Sequence, residues 1–213
     1  IIGGMGNVGL SLAQGISSIK KVNFVLTSTH DLALNNGSIS SEKEGYISEI
    51  EKNGSTVMLK KCNVKEDISS VLDSVISAFG RINTVIFAAG VIGGDTFTLI
   101  ENTTKEMCNM QFDVKIRGLV SFAETIKKYS VDNCILTSSV SGILGGGSDI
   151  PHILPVTCLW IFSQKCRIET AIQNGSLSIG ISGSLIQAEK KVILVLLRKI
   201  LLYQEMKECV LFQ

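Results

Sequence analysis

The chain has 213 residues with 20 Lys+Arg against 19 Asp+Glu, a formal net charge of +1 that gives no footprint for nucleic acid or an anionic membrane. Hydrophobic residues make up 45% and charged residues 18%, which excludes a disordered chain and suffices for one α/β domain with a full core. The longest strictly apolar run, residues 192–197, is far short of the roughly 18 that mark a membrane span, and no signal-peptide pattern opens the chain.

In chain order, Ile1 and Ile2 stand before a glycine turn and read as the end of a strand whose beginning is missing. With no Met at position 1, and with Gln213 directly after an apolar stretch, the expectation is a fragment of a longer polypeptide. Residues 3–9 form a glycine turn that leads into a helix to about residue 20. Residues 22–27 (VNFVLT) are a short β-branched run, hence a strand. Residues 28–40 are polar and rich in Asn, Gly and Ser, hence a loop, and 41–53 read as a polar surface helix. A strand (STVMLK) lies within 55–64. Residues 67–79 carry Ile68, Val71, Leu72, Val75, Ile76 and Phe79 at helical period. Residues 84–88 (TVIFA) are a buried strand, 103–128 are helical in one or two pieces, and a strand beginning at 134 ends in Thr137-Ser138-Ser139. Strands are expected again at 177–181 and 209–212. A helix at 187–203, apolar nearly all round, is either deeply buried or packed on a partner surface.

This alternation predicts right-handed βαβ units and a Rossmann-type, doubly wound parallel sheet of the α/β class, with its first strand truncated. Residues 1–213 read as a single domain, without linker or internal repeat. The cysteines (Cys62, Cys108, Cys134, Cys158, Cys166, Cys209) form no CxxC pair, and His30 and His152 are the two histidines. No metal site is expected; the cysteines read as small buried thiols in a reducing cytoplasm.

Gly4, Gly6 and Gly9 match G-x-G-x-x-G, with Gly3 adding a second register. Glycines permit the tight turn and let backbone N–H groups, here those around Gly6, Asn7, Val8 and Gly9, approach a pyrophosphate at the helix N-terminus. The strand–turn–helix context gives the motif its meaning: a dinucleotide site. At the end of the second strand, Leu26-Thr27-Ser28-Thr29-His30-Asp31 places no carboxylate immediately at the strand end. No Arg stands there either, and the hydroxyls of Ser28 and Thr29 with His30 could accept a 2′-phosphate only weakly; the choice leans toward NADP.

Three further segments complete a pattern: Ala88-Ala89-Gly90-Val91 after a strand, Lys115-Ile116-Arg117-Gly118 in a helix, and Ser138-Ser139-Val140-Ser141-Gly142 after another strand. With the glycine turn, they resemble the short-chain dehydrogenase/reductase superfamily, and within it the ketoreductase domain of modular polyketide synthases. The placement of Lys115 is the specific part. The resemblance implies reduction of a β-keto thioester tethered through phosphopantetheine to an acyl carrier protein, with hydride from NADPH, in a cytoplasmic multienzyme with neighbouring synthase domains. It assigns Ser139 to hold the carbonyl and Lys115 to support the proton donor and the cofactor ribose. It adds Asn63, Val64, Ala88, Ala89 and Gly90 to the cofactor site. Asn63 stands where an Asp usually meets the adenine amino group, and its carbonyl oxygen could accept the same hydrogen bond.

The sequence departs from that family at the proton donor. The family's Tyr lies about 13 residues after the Ser; here that position is His152, and the Asn expected four residues later is Val156. No Tyr lies between Ser130 and Leu202, and both prolines, Pro151 and Pro155, flank the altered position. Imidazole can donate a proton near neutral pH. It falls short of a phenol's reach by ~2 Å, and a 1 Å misplacement costs roughly a hundredfold. This weighs against useful reduction. It leaves open a non-catalytic ketoreductase-like scaffold or docking domain of the synthase, or an atypical NAD(P)-binding regulator.

Overall fold

The computed structural model describes residues 1–29, 39–91, 98, 100–138 and 176–181, with 100 and 176–181 as backbone only. The expected helix at 187–203, the strand at 209–212, and Ser139, His152, Pro151, Pro155 and Val156 lie outside the described residues.

Strands and helices alternate in the expected order: α1 (Asn7–Ser17), β1 (Asn23–Ser28), α2 (Ser41–Lys52), β2 (Thr56–Lys61), α3 (Ile68–Phe79), β3 (Ile82–Phe87), α4 (Lys105–Phe112), α5 (Gly118–Ile126), β4 (Val131–Ser138) and β5 (Ser176–Ile181). All three strand pairs are parallel: β1 with β2, β3 with β4, and β4 with β5. Ile1 and Ile2 join the two groups. On one side the Ile1 amine donates to Val25 O (2.6 Å) and Thr27 N–H to Ile1 O (3.1 Å). On the other, Ile2 N–H donates to Ile86 O and Ala88 N–H to Ile2 O, both at 2.8 Å. The order across the sheet is therefore β2-β1-(Ile1, Ile2)-β3-β4-β5. The chain winds outward one way from the centre, then returns and winds the other way, so the direction reverses beside Ile2.

Two cores, one on each face, make the sheet doubly wound. Leu10 and Ala13 of α1 and Ile50 of α2 pack with Met5, Phe24 and Leu26. Ile68, Val71 and Leu72 of α3 and Leu119 and Phe122 of α5 pack with Ile2, Val85, Phe87 and Leu136. Burial of four consecutive residues, Phe24 to Thr27, shows why the central strands lack polar alternation: both faces are covered. Of the periodic residues of α3, Ile68, Val71 and Leu72 face the core and Val75 is partly buried against it, whereas Ile76 is 38% exposed; the helix stops at Gly80, whose φ of +77° supplies the left-handed cap.

Two expectations are refined. The helical stretch at 103–128 is two α-helices joined by a π-helical turn, Asp113–Arg117, so Lys115 sits on a wider, i→i+5 bonded turn. Of the described cysteines only Cys62 is buried, its thiol pushed up to about 11 by burial and by the charge of Asp67; Cys108 and Cys134 are half-buried. Among the described residues no group of acidic, His and Cys side chains could hold a metal ion, and no helix is long and apolar enough to cross a membrane.

Candidate functional site

Parallel strands bring their C-terminal ends to one edge of the sheet, and a ligand in such a fold sits at that edge where the winding reverses. The glycine turn follows Ile2 there, Ser28 and Thr29 close β1, Asn63 and Val64 follow β2, and Ala88, Ala89 and Gly90 follow β3.

The glycines of the turn do different jobs. Gly3 has φ of +76°, and a Cβ on it would lie 2.7 Å from Ala89 Cα. A Cβ on Gly9 would lie 2.5 Å from Gly4 Cα and 2.7 Å from two carbonyl oxygens, all backbone that cannot yield. These two residues are glycine because the turn folds onto itself and onto the Ala88-Ala89 segment. Gly6 differs: it is exposed, and a Cβ there would meet only Gly3 O at 3.3 Å. Packing leaves room at Gly6, and the missing side chain opens that space to a ligand.

The backbone donors point the same way. Gly3 N–H donates to Thr27 Oγ1 (2.9 Å), Gly4 N–H to Ile1 O (3.1 Å), Met5 N–H to Thr27 O (3.1 Å) and Gly6 N–H to Gly3 O (3.0 Å). The next three N–H groups, of Asn7, Val8 and Gly9, open α1, where a helix has no partner for them, and Gly6 as N-cap offers no side chain. Three unpaired donors with the positive end of a helix dipole, over an uncovered glycine, fit the diphosphate of a dinucleotide.

Lys115 is buried, 6% exposed, although it is charged. Its Cε would be 3.5 Å from a Cβ on Gly90, so its stem runs along the segment that also walls the glycine turn. The structure thus gathers the glycine turn, residues 88–90 and Lys115 into one continuous site. The π-turn carrying Lys115 is tied to the segment after β2. A Cβ on Gly118 would come within 2.6 Å of Val64 Cγ2, so the helix backbone lies directly on Val64. Lys65 Nζ pairs with Asp113 Oδ2 at 3.1 Å, and Arg117 pairs with Asp113 Oδ1. The hydrogen bond from Lys65, with Arg117 beside it, holds the Asp113 carboxyl below its usual range.

Asn63 is half-buried and fixed by a local turn: its N–H donates to Asp67 Oδ2 (2.9 Å), and its Oδ1 accepts from Lys65 N–H (3.2 Å). The side-chain oxygen expected to serve an adenine amine is thus already engaged by the backbone. Ser28 is half-buried and Thr29 exposed. Ser139 and His152 are not among the described residues; Ser139 is next in sequence to Ser138, whose buried Oγ has no hydrogen-bond partner among them.

Sequence reading missed two residues. Fully buried Gln111 donates from Nε2 to Val91 O at 3.1 Å, tying α4 to the segment after β3. Thr27 receives two of the turn's N–H groups. Gln111 gives no signal beyond being polar in a helix. Thr27, a hydroxyl at the end of an apolar strand beside a glycine turn, gives a faint one.

The model of the KR domain family matches residues 1–165. The chain belongs to the KR domain family. The polyketide synthase PksN of Bacillus subtilis (strain 168) is 29% identical over 154 residues, covering 70% of this chain and 3% of that protein. Among solved structures, a ketoreductase domain from the bacillaene assembly line aligns with a TM-score of 0.72 at 24% identity, over 84% of this KR domain and 42% of that chain. An NAD+-bound xylitol dehydrogenase aligns at 0.70 and 16% identity, over 84% of this chain and 67% of that one. A metagenomic short-chain oxidoreductase in complex with NADP aligns at 0.65 and 18% identity, over 87% of this chain and 81% of that one. The KR domain thus spans under half of the ketoreductase chain and a small part of the synthase. The α/β fold of short-chain dehydrogenases is common to all these structures.

Proposed function

We propose that this KR domain binds NADPH and is built to reduce a β-keto thioester carried on the phosphopantetheine arm of an acyl carrier protein, within a cytoplasmic polyketide synthase, with its reducing power curtailed at His152. The observation that carries the reading is the union of the unpaired N–H groups of Asn7, Val8 and Gly9 with buried Lys115 beside Gly90. Bound NADPH supplies the hydride.

The protein's part is to hold the carbonyl and deliver a proton to its oxygen. By sequence match, the Ser139 hydroxyl donates a hydrogen bond to that oxygen, where negative charge develops. Lys115 places a positive charge on the same side of the site, which favours the developing oxyanion. His152 takes the position of the proton donor. A phenol with a lysine beside it delivers a proton across neutral pH, whereas imidazolium is depleted above about pH 6.5. The prolines at 151 and 155 favour the second reading, a synthase domain that keeps the fold and the cofactor but reduces nothing.

Titration calorimetry tests the first half: NADPH binds at micromolar to millimolar concentration, and no heat at millimolar cofactor overturns the reading. His152→Tyr tests the second: reduction of a model β-keto thioester rises above the native rate. No gain in a folded, NADPH-binding variant leaves the scaffold reading in place.

A further inference from the structure

We infer that Thr27 is a positioning residue of the dinucleotide site, the side chain through which β1 sets the geometry of the glycine turn. All three polar groups of Thr27 go to residues 1–5. Its N–H donates to Ile1 O (3.1 Å), its carbonyl accepts from Met5 N–H (3.1 Å), and its Oγ1 accepts from Gly3 N–H (2.9 Å). The residue is 2% exposed, so no water can replace a lost bond.

The hydroxyl bond is the one that sequence can alter, and it acts at the residue whose backbone has most freedom. Gly3, at φ of +76°, is held by Thr27 through its N–H and holds Gly6 through its carbonyl. Gly6 is the N-cap of α1, so the chain of bonds runs from Thr27 to Gly3 to Gly6 and ends at the three unpaired donors of the first helical turn. Without the hydroxyl, Gly3 N–H is left unpaired against β1. The turn then relieves that cost by rotating at Gly3, which re-aims the N–H groups that would meet a phosphate.

The inference rests on the dinucleotide reading of the turn. It predicts a separation that a merely structural hydroxyl would not give. Thr27→Val keeps the shape and removes the acceptor; Thr27→Ser keeps the acceptor. NADPH affinity, followed by cofactor fluorescence at 10 °C where each protein is verified folded by circular dichroism, is expected to fall roughly tenfold or more in Thr27→Val. It is expected to stay within about threefold of native in Thr27→Ser. Thermal midpoints are recorded alongside. Equal affinities with a lowered midpoint for Thr27→Val overturn the inference and leave Thr27 as fold support alone. If Thr27→Val does not fold, Thr27→Cys replaces it. A weak sulfur acceptor of the same shape as Ser is expected to bind NADPH more weakly than Thr27→Ser, and equal binding overturns the inference. Absence of NADPH binding to the native domain overturns the dinucleotide reading instead.

Discussion

The glycine turn and the Lys115 corner meet at residues 88–90, yet they are built by opposite means. The turn is backbone throughout: glycines where a Cβ would strike backbone, and donors satisfied one by one until three remain. The Lys115 corner is made of side chains from distant segments, with Val64 under Gly118, Lys65 and Arg117 on Asp113, and Gln111 on Val91. A site set by backbone sterics should fail abruptly when a single carbon is added. One set by side-chain contacts between distant segments should loosen gradually.

Gly9→Ala should have the largest effect, because its Cβ would lie 2.5 Å from Gly4 Cα with no flexible side chain to yield. A loss of ~1–3 kcal/mol in urea unfolding, together with loss of NADPH binding, is expected. Gly6→Ala splits the two readouts: with only Gly3 O at 3.3 Å nearby, stability should stay within ~0.5 kcal/mol of native. The added methyl should still hold a phosphate away from the helix donors and weaken NADPH by roughly tenfold, the worth of one charge-assisted hydrogen bond. Equal losses of stability in the two variants would erase the distinction between glycines of the fold and the glycine of the ligand.

In the Lys115 corner, Lys115→Met keeps an unbranched stem of similar length and removes the charge. NADPH affinity should fall by several-fold, read by the same titration. A large loss of stability with unchanged affinity would make Lys115 a structural residue. Asp113→Asn should be mildest, because both ion pairs are at the surface. The Asp113 carboxyl is held below its usual range by the hydrogen bond from Lys65 and by Arg117, so its contribution is present above about pH 4, the unfolded value. That contribution is lost as pH falls through the lower, folded value. The small difference in thermal midpoint between native and Asp113→Asn at pH 7 should therefore shrink in acid.

How far each part was legible follows from the same contrast. The strand residues Phe24 to Thr27 and the period of Ile68, Val71 and Leu72 announced their elements, because burial on two faces or on one stripe leaves a mark in neighbouring residues. The glycine turn was legible for a related reason: positive φ and backbone contact admit only glycine. The π-turn at Asp113–Arg117 was not, since its residues are ordinary helix formers and its contacts are with Val64 and Lys65, some fifty residues away. Asn63 was read correctly as a residue at the strand end, but not as one whose oxygen serves Lys65 N–H.

The sequence by itself determined the α/β alternation, the glycine turn and the family. These are properties of residue type in local order, and local order is what a sequence records. Tertiary structure decided which glycines are packed against backbone and which lies open, that Lys115 lies buried against Gly90, and that Thr27 ties β1 to the turn. Those facts are distances between segments that only a folded sheet brings together, and no pattern of neighbouring residues encodes them.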